Sequence, residues 1–147
     1  MILKNLLVVS LTVILSACAT TVPEPPTPAQ MAADKGYELG EPIEKIMNYR
    51  LDGWNYVNPY ALIIHSGANK NHLVTLRDRC HELSTADVIA TTSTGSAMRA
   101  KFDAITVSLD GSRPSGSTRN TRKCYIESIY TMTKNKTTNK TATGISE

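Results

Sequence analysis

The chain of 147 residues has little of what most catalytic and cofactor signatures are made from. It holds three cysteines, three histidines, one tryptophan and one phenylalanine. No CxxC pair is present, and His65, His72 and His81 do not stand at metal-ligand spacing, so neither a dithiol redox motif nor a zinc motif can be read. No hydrolase elbow, phosphate loop or zincin helix occurs, and no cofactor is implied. A formal charge of +3 is far from the strongly basic balance of a nucleic-acid binder, so no nucleic-acid partner is expected. The apolar run near the N-terminus falls short of the roughly 20 residues that a membrane-spanning helix needs.

That run carries the clearest signal in the chain. Lys4 supplies a positive start, residues 6–15 are almost wholly apolar, and the stretch ends in Leu15-Ser16-Ala17-Cys18. The arrangement resembles the lipobox of bacterial lipoproteins. The thiol is alkylated there by a diacylglycerol, small residues admit the protease, and the chain is cut before the cysteine. Residues 1–17 are therefore expected to be a signal peptide and Cys18 the lipidation site. Two or three acyl chains hold a protein stably at a membrane where one does not. Ala19, in place of Asp, implies by the same resemblance an outer-membrane location, expected on the periplasmic face.

Residues 18–41 follow as an expected tether, since four of the seven prolines lie between positions 20 and 30. The polar stretch 134–147 is expected to be a disordered tail. Between them, residues 42–133 make one small domain, of a size that gains from a covalent staple. Cys80 and Cys124 are the two thiols left after Cys18, and in an oxidising compartment an even pair suggests one disulfide. The loop it closes, about 45 residues, is worth roughly 4 kcal/mol in the chain-entropy treatment. The competing reading makes Cys80 a nucleophile activated by His81. Neighbours on a strand face opposite sides, however, and no third orienting group can be named.

The body reads as strands and turns. "YALIIHS" (60–66) and "HLVTLRD" (72–78) flank "GANKN", predicting a hairpin with Leu62 and Ile64 on one face and Val74 and Leu76 on another. A short helical turn is expected over 81–86, with Asp78 as its cap. In "AKFDAITVSLD", Ile105, Val107 and Leu109 alternate with Thr106 and Ser108, the pattern of a half-buried strand. "PIEKIMNYRLDGW" suits a strand or a helix, with strand favoured. "IEKI" (43–46) echoes "IESI" (126–129), and both fit bulged strands in which one extra residue returns the second isoleucine to the core. Adjacent first and last strands would give a mainly β fold, a curved antiparallel sheet or partly closed barrel.

The order "IEKI", "HLVTLRDRCHEL", "FDAITV", "CYIESIY" resembles a family of small Gram-negative lipoproteins known as a domain of unknown function. The resemblance marks Cys80, Cys124, Ile126 and Ile129 and implies a compact envelope domain; it carries no catalytic residue across. An enzyme needs convergent polar groups, and among the carboxylates only Asp103, inside an apolar strand, draws notice. It is expected either as a buried group partnered by Arg77 or Arg79, or as an exposed strand end. Trp54, Tyr56 and Tyr60 cluster in "GWNYVNPY", either as a core plug or as an exposed platform for a glycan or envelope protein. The expected function is a lipid-anchored structural or binding module without catalysis, attached to the membrane by its anchor. The alternative is an enzyme acting on an envelope polymer or thiol substrate.

Overall fold

The structure, a computed structural model, describes residues 24–47, 51–109 and 120–135. Residues 1–23, which include Cys18 and the expected signal peptide, and residues 48–50, 110–119 and 136–147 lie outside the described residues. In chain order the elements are a helix α1 (Pro28–Asp34), then β1 (Tyr37–Ile43), β2 (Lys45–Met47), β3 (Leu51–Asn58), β4 (Ala61–Ser66) and β5 (Asn71–Leu76). A 3-10 turn (His81–Thr85) precedes β6 (Ile89–Thr91), β7 (Ala97–Arg99), β8 (Ala104–Ser108) and β9 (Thr121–Lys134). The main sheet runs β3-β4-β5-β9-β8-β6, all antiparallel, with β1 also paired to β9. It curls into a half-barrel. Its two end strands face one another without pairing: Leu51 to Trp54 of β3 and Ile89 and Thr91 of β6 line a common cavity of about 240 Å³.

The hairpin 61–76 forms because each strand is apolar on both sides. Leu62, Ile64, Val74 and Leu76 point into the curl and join the main core. Ala61, Ile63 and Leu73 point outward, where Met31 and Ala32 of α1 and Met132 of β9 cover them. The left-handed backbone of the hairpin loop falls on Gly67 (φ 70) and Asn69 (φ 60), residue types that accept it. Asn71, expected in the loop, is instead the first residue of β5.

Helix α1 and strand β1 correct the tether reading of residues 18–41. Thr27 caps the helix, with Gln30 N–H donating to its hydroxyl and Gln30 Oε1 accepting from Thr27 N–H. Pro28 stands at the first helical position, where its missing N–H costs nothing. Thr-Pro-Ala-Gln is a capping box, and the prolines around it concealed that signal. The helix end turns through Gly36 (φ 77) into β1, which lies along the C-terminal half of β9. Lys134 and Asn135 likewise leave the expected tail: Lys134 pairs with Tyr37, and Asn135 N–H donates to Gly36 O.

The bulge in "IESI" is present. Thr75 lies opposite Ser128 and Leu76 opposite Ile126, so Glu127 is one residue extra on β9. Ile126 and Ile129 are consequently both buried in the same core, although three apart on a strand. At "IEKI" the chain is extended on both sides of a bend at Glu44, and Ile46 is buried against Met98 across the β2–β7 ribbon. That ribbon was not legible in the sequence. Cys80 and Cys124 are joined in a disulfide, with Cα atoms 5.9 Å apart and both residues in the core. The 3-10 turn follows it and buries Leu83, but Cys80 rather than Asp78 occupies its cap position, with no side-chain cap. Leu109 is 55% exposed, because β8 and its alternation end at Ser108.

One buried polar group limits the pH range of this packing. His72 faces the curl, its Nε2 lies 2.8 Å from Ser66 Oγ, and its Nδ1 is buried with no partner among the described residues. Burial, with the nearby Lys70 charge adding to it, lowers the imidazole pKa from its ordinary value. Unfolding therefore takes up a proton once the pH drops below about 6.5, where a free histidine titrates. Stability should be level from pH 8 to 7 and decline as the pH falls through 6.5 toward 5. Denaturant midpoints across that range should show the decline in the wild type, and His72→Asn should remove a measurable part of the slope.

Candidate functional site

Strand β9 is too long for any one neighbour on its β1 and β8 side. β8 pairs with its residues up to Tyr125, and β1 takes over from Ile129. Ile126 is held in the interval by two backbone bonds, its N–H to Asp103 O at 3.0 Å and its carbonyl from Lys101 N–H at 3.0 Å. Glu127 and Ser128 fall between the two pairings, at the bulge. A cleft of about 600 Å³ opens there, floored by residues 127–129 and walled by residues 42–45 and 99–102.

The wall 99–102 is a turn fixed from three sides. Asp103, 5% exposed, accepts from the Arg99 backbone N–H at 2.7 Å, and Arg99 Nε lies 3.5 Å from the same oxygen. Ala100 N–H donates to Glu44 O at 2.9 Å, and Lys101 N–H is held by β9 as above. So pinned, Lys101 adopts φ 67, a left-handed conformation that an unbranched residue enters only at some cost. The consequence is at the lip: Phe102 is 75% exposed, with the Arg99 guanidinium 5.4 Å from its ring centre. Asp103 is thus the buried partnered group that one sequence reading expected, but its partner is Arg99. Arg77 pairs instead with Glu127 at 3.3 Å and lies 5.9 Å from the exposed Tyr125 ring.

Lys45, Arg99 and Lys101 bring positive charge to the cleft, and Glu44 and Glu127 bring negative charge. Among the described residues neither lysine is in an ion pair, whereas Arg99 and Glu127 are each tied to a residue that does not line the cleft. The cleft therefore joins an exposed ring, two unpaired ammonium groups and carboxylates over an apolar floor edge at Ile43 and Ile129. Among the described residues no group of three or more His, Cys, Asp or Glu side chains gathers as a metal site.

A model of one protein family matches residues 1–145. The chain belongs to DUF6491, a family of unknown function. No curated protein and no solved structure matches this DUF6491 chain. The sequence resemblance to a domain of unknown function is met at that level. The sites expected from sequence are distributed differently in this chain. Its Cys80 is consumed by the disulfide, so it is no free thiol beside His81. Trp54 and Tyr56 pack half-buried against the main core, while Tyr60 packs against the helix-side cluster on the other face of the sheet. The three rings do not form one exposed platform; Trp54 and Tyr56 share one face of β3, and the turn after it carries Tyr60 to the other. The more exposed of the two exposed aromatics among the described residues, Phe102, was read as part of a strand. Its signal in sequence was a lone phenylalanine between Lys101 and Asp103, where no apolar alternation reaches back to it.

Proposed function

We propose that this protein is a lipid-anchored binding module of the cell envelope, and that the cleft at the break beside β9 is its binding site. The observation that carries the reading is Phe102, three-quarters exposed on a turn that Asp103, Glu44 and Ile126 hold rigid. Exposing a large apolar ring beside a cleft loses its burial energy, about 2 kcal/mol, and a ligand would recover it. Pre-organising the turn lowers the ordering cost of binding. The sequence of residues 15–18 supports anchoring at Cys18, and the outer membrane, on its periplasmic face, is the proposed location. The reading assigns no catalytic role to any residue.

Two measurements test it. Cys18→Ser should abolish incorporation of labelled palmitate, and replacing residues 1–18 by a cleavable secretory signal should move the protein from the membrane to the soluble fraction of a Gram-negative host. In that soluble form the protein should sediment with isolated envelopes, and Phe102→Ala should weaken this at least tenfold, while Val88→Ala, at an exposed site outside the cleft lining, leaves it unchanged. Palmitate incorporation that survives Cys18→Ser would remove the anchor. Sedimentation indifferent to Phe102 would remove the cleft.

A further inference from the structure

We infer that the cleft takes a saccharide bearing a carboxylate or phosphate group, an inference that rests on the binding-module reading. The shape of the break excludes the obvious alternative, an added peptide strand. Strand addition needs a row of free backbone donors and acceptors. Here the N–H and carbonyl of Ile126 are already taken by Asp103 and Lys101, and Pro42 on the opposite wall has no N–H to give. Only residues 127 and 128 separate the two pairings, too short an edge for a ladder. Recognition must therefore run through side chains.

Those side chains suit a charged sugar. A ring that is 75% exposed offers a flat apolar surface for the C–H face of a pyranose. Lys45 and Lys101, in no ion pair among the described residues, stand on the two walls and can meet one anionic group from both sides. Glu44 and Glu127 supply acceptors for hydroxyl donors. An acidic peptide would use the lysines but would be repelled by both carboxylates, and a neutral sugar would leave the lysines unused. The volume, about 600 Å³, is that of a site for a small ligand, such as one or two sugar rings.

The test is titration of the full-length chain in detergent, followed by amide chemical shifts, with four probes. Digalacturonate carries carboxylates, glucosamine 1-phosphate carries phosphate, chitobiose is uncharged, and an acetylated tetraglutamate is an acidic peptide. One of the two acidic sugars should shift the amides of residues 43–45 and 99–102 and bind at least tenfold tighter than chitobiose; which one does so tells carboxylate from phosphate recognition. Lys45→Gln with Lys101→Asn, Asn being tolerant of the left-handed backbone at 101, should erase that advantage without changing chitobiose binding. Phe102→Ala should weaken charged and neutral sugars alike. The inference is overturned if tetraglutamate binds as tightly as both acidic sugars, if neither acidic sugar exceeds chitobiose, or if the double lysine variant keeps the advantage. Cleft-dependent sedimentation with envelopes, joined to a failure here, would overturn the ligand class alone; loss of both overturns the site.

Discussion

Replacing Cys80 and Cys124 together by alanine is expected to lower the unfolding free energy by about 4 kcal/mol, the value for a cross-link closing a loop of this length. The bridge spans a sequence separation of 44 and ties the segment after β5 to the N-terminal half of β9. Without it, the unfolded chain regains the freedom of the whole intervening stretch, which includes β6, β7 and β8. For a domain whose total stability is on the order of 5–15 kcal/mol, that is a large fraction. The thermal midpoint should fall by roughly 20 °C, at some 4–8 °C per kcal/mol for a domain of this size. Urea titrations of the oxidised wild type and the double variant measure it directly. A difference under about 1 kcal/mol would mean that the packing around Leu83, Ile105 and Ile126 already restrains the chain without the bridge. Because the two sulfurs are joined, alkylation should require reduction, and because Cys80 is fully buried and Cys124 nearly so, it should require unfolding as well.

Deleting Tyr125 is expected to do more, and to abolish folding. Glu127 is the extra residue of the β9 bulge, opposite the step from Thr75 to Leu76. With it, Ile126 and Ile129 both enter the core. The bulge absorbs one residue there and none at Tyr125, where β9 alternates regularly opposite Ala104, so a deletion at Tyr125 is a one-residue slip that sends the side chains on one side of it to the wrong face. Either Cys124 would be turned out of the core and away from Cys80, or the bulge would be lost and Glu127 would take the core place of Ile126. The contrast is with Glu127→Ala, which keeps the backbone and loses only an ion pair to Arg77 with both side chains about half exposed. That change should cost no more than about 1 kcal/mol. Ile129→Ala lies between, at about 2–5 kcal/mol for a fully buried isoleucine. Circular dichroism and denaturant midpoints for the three variants rank them; a deletion variant as stable as Glu127→Ala would show that β9 tolerates either register.

What the sequence made legible was local and periodic. The 61–76 hairpin, Ile105 and Val107 on one face of β8, and the doubled isoleucines of "IESI" each declare themselves within a few residues. So did the cysteine pair, because composition and an expected export signal constrain it. The helix 28–34 was hidden because prolines and short length outweighed a capping box, and only the outward faces of Ile63 and Leu73 explain why a helix is there. The cleft was not readable. Its walls come from residues 42–45 and 99–102, brought together by the β2–β7 ribbon, and its floor from a bulge near the other end of the chain. Phe102 becomes notable only once Asp103 is known to be buried and bonded to Arg99. Trp54, Tyr56 and Tyr60, close together in sequence, are parted by the two faces of one sheet.

The placement of β1 has a mechanical meaning. The chain enters that strand at Tyr37, opposite Lys134, and leaves it at Ile43, opposite Ile129 and beside the cleft. A pull on the segment before Tyr37, resisted by a ligand gripped in the cleft, draws β1 lengthwise against β9 instead of peeling it away. The hydrogen bonds between the two strands then bear the force together, as in a lap joint, and none must fail alone before the next is loaded. The disulfide keeps β9 fastened to the rest of the sheet while they do so. A domain built this way resists extension applied from its N-terminal side.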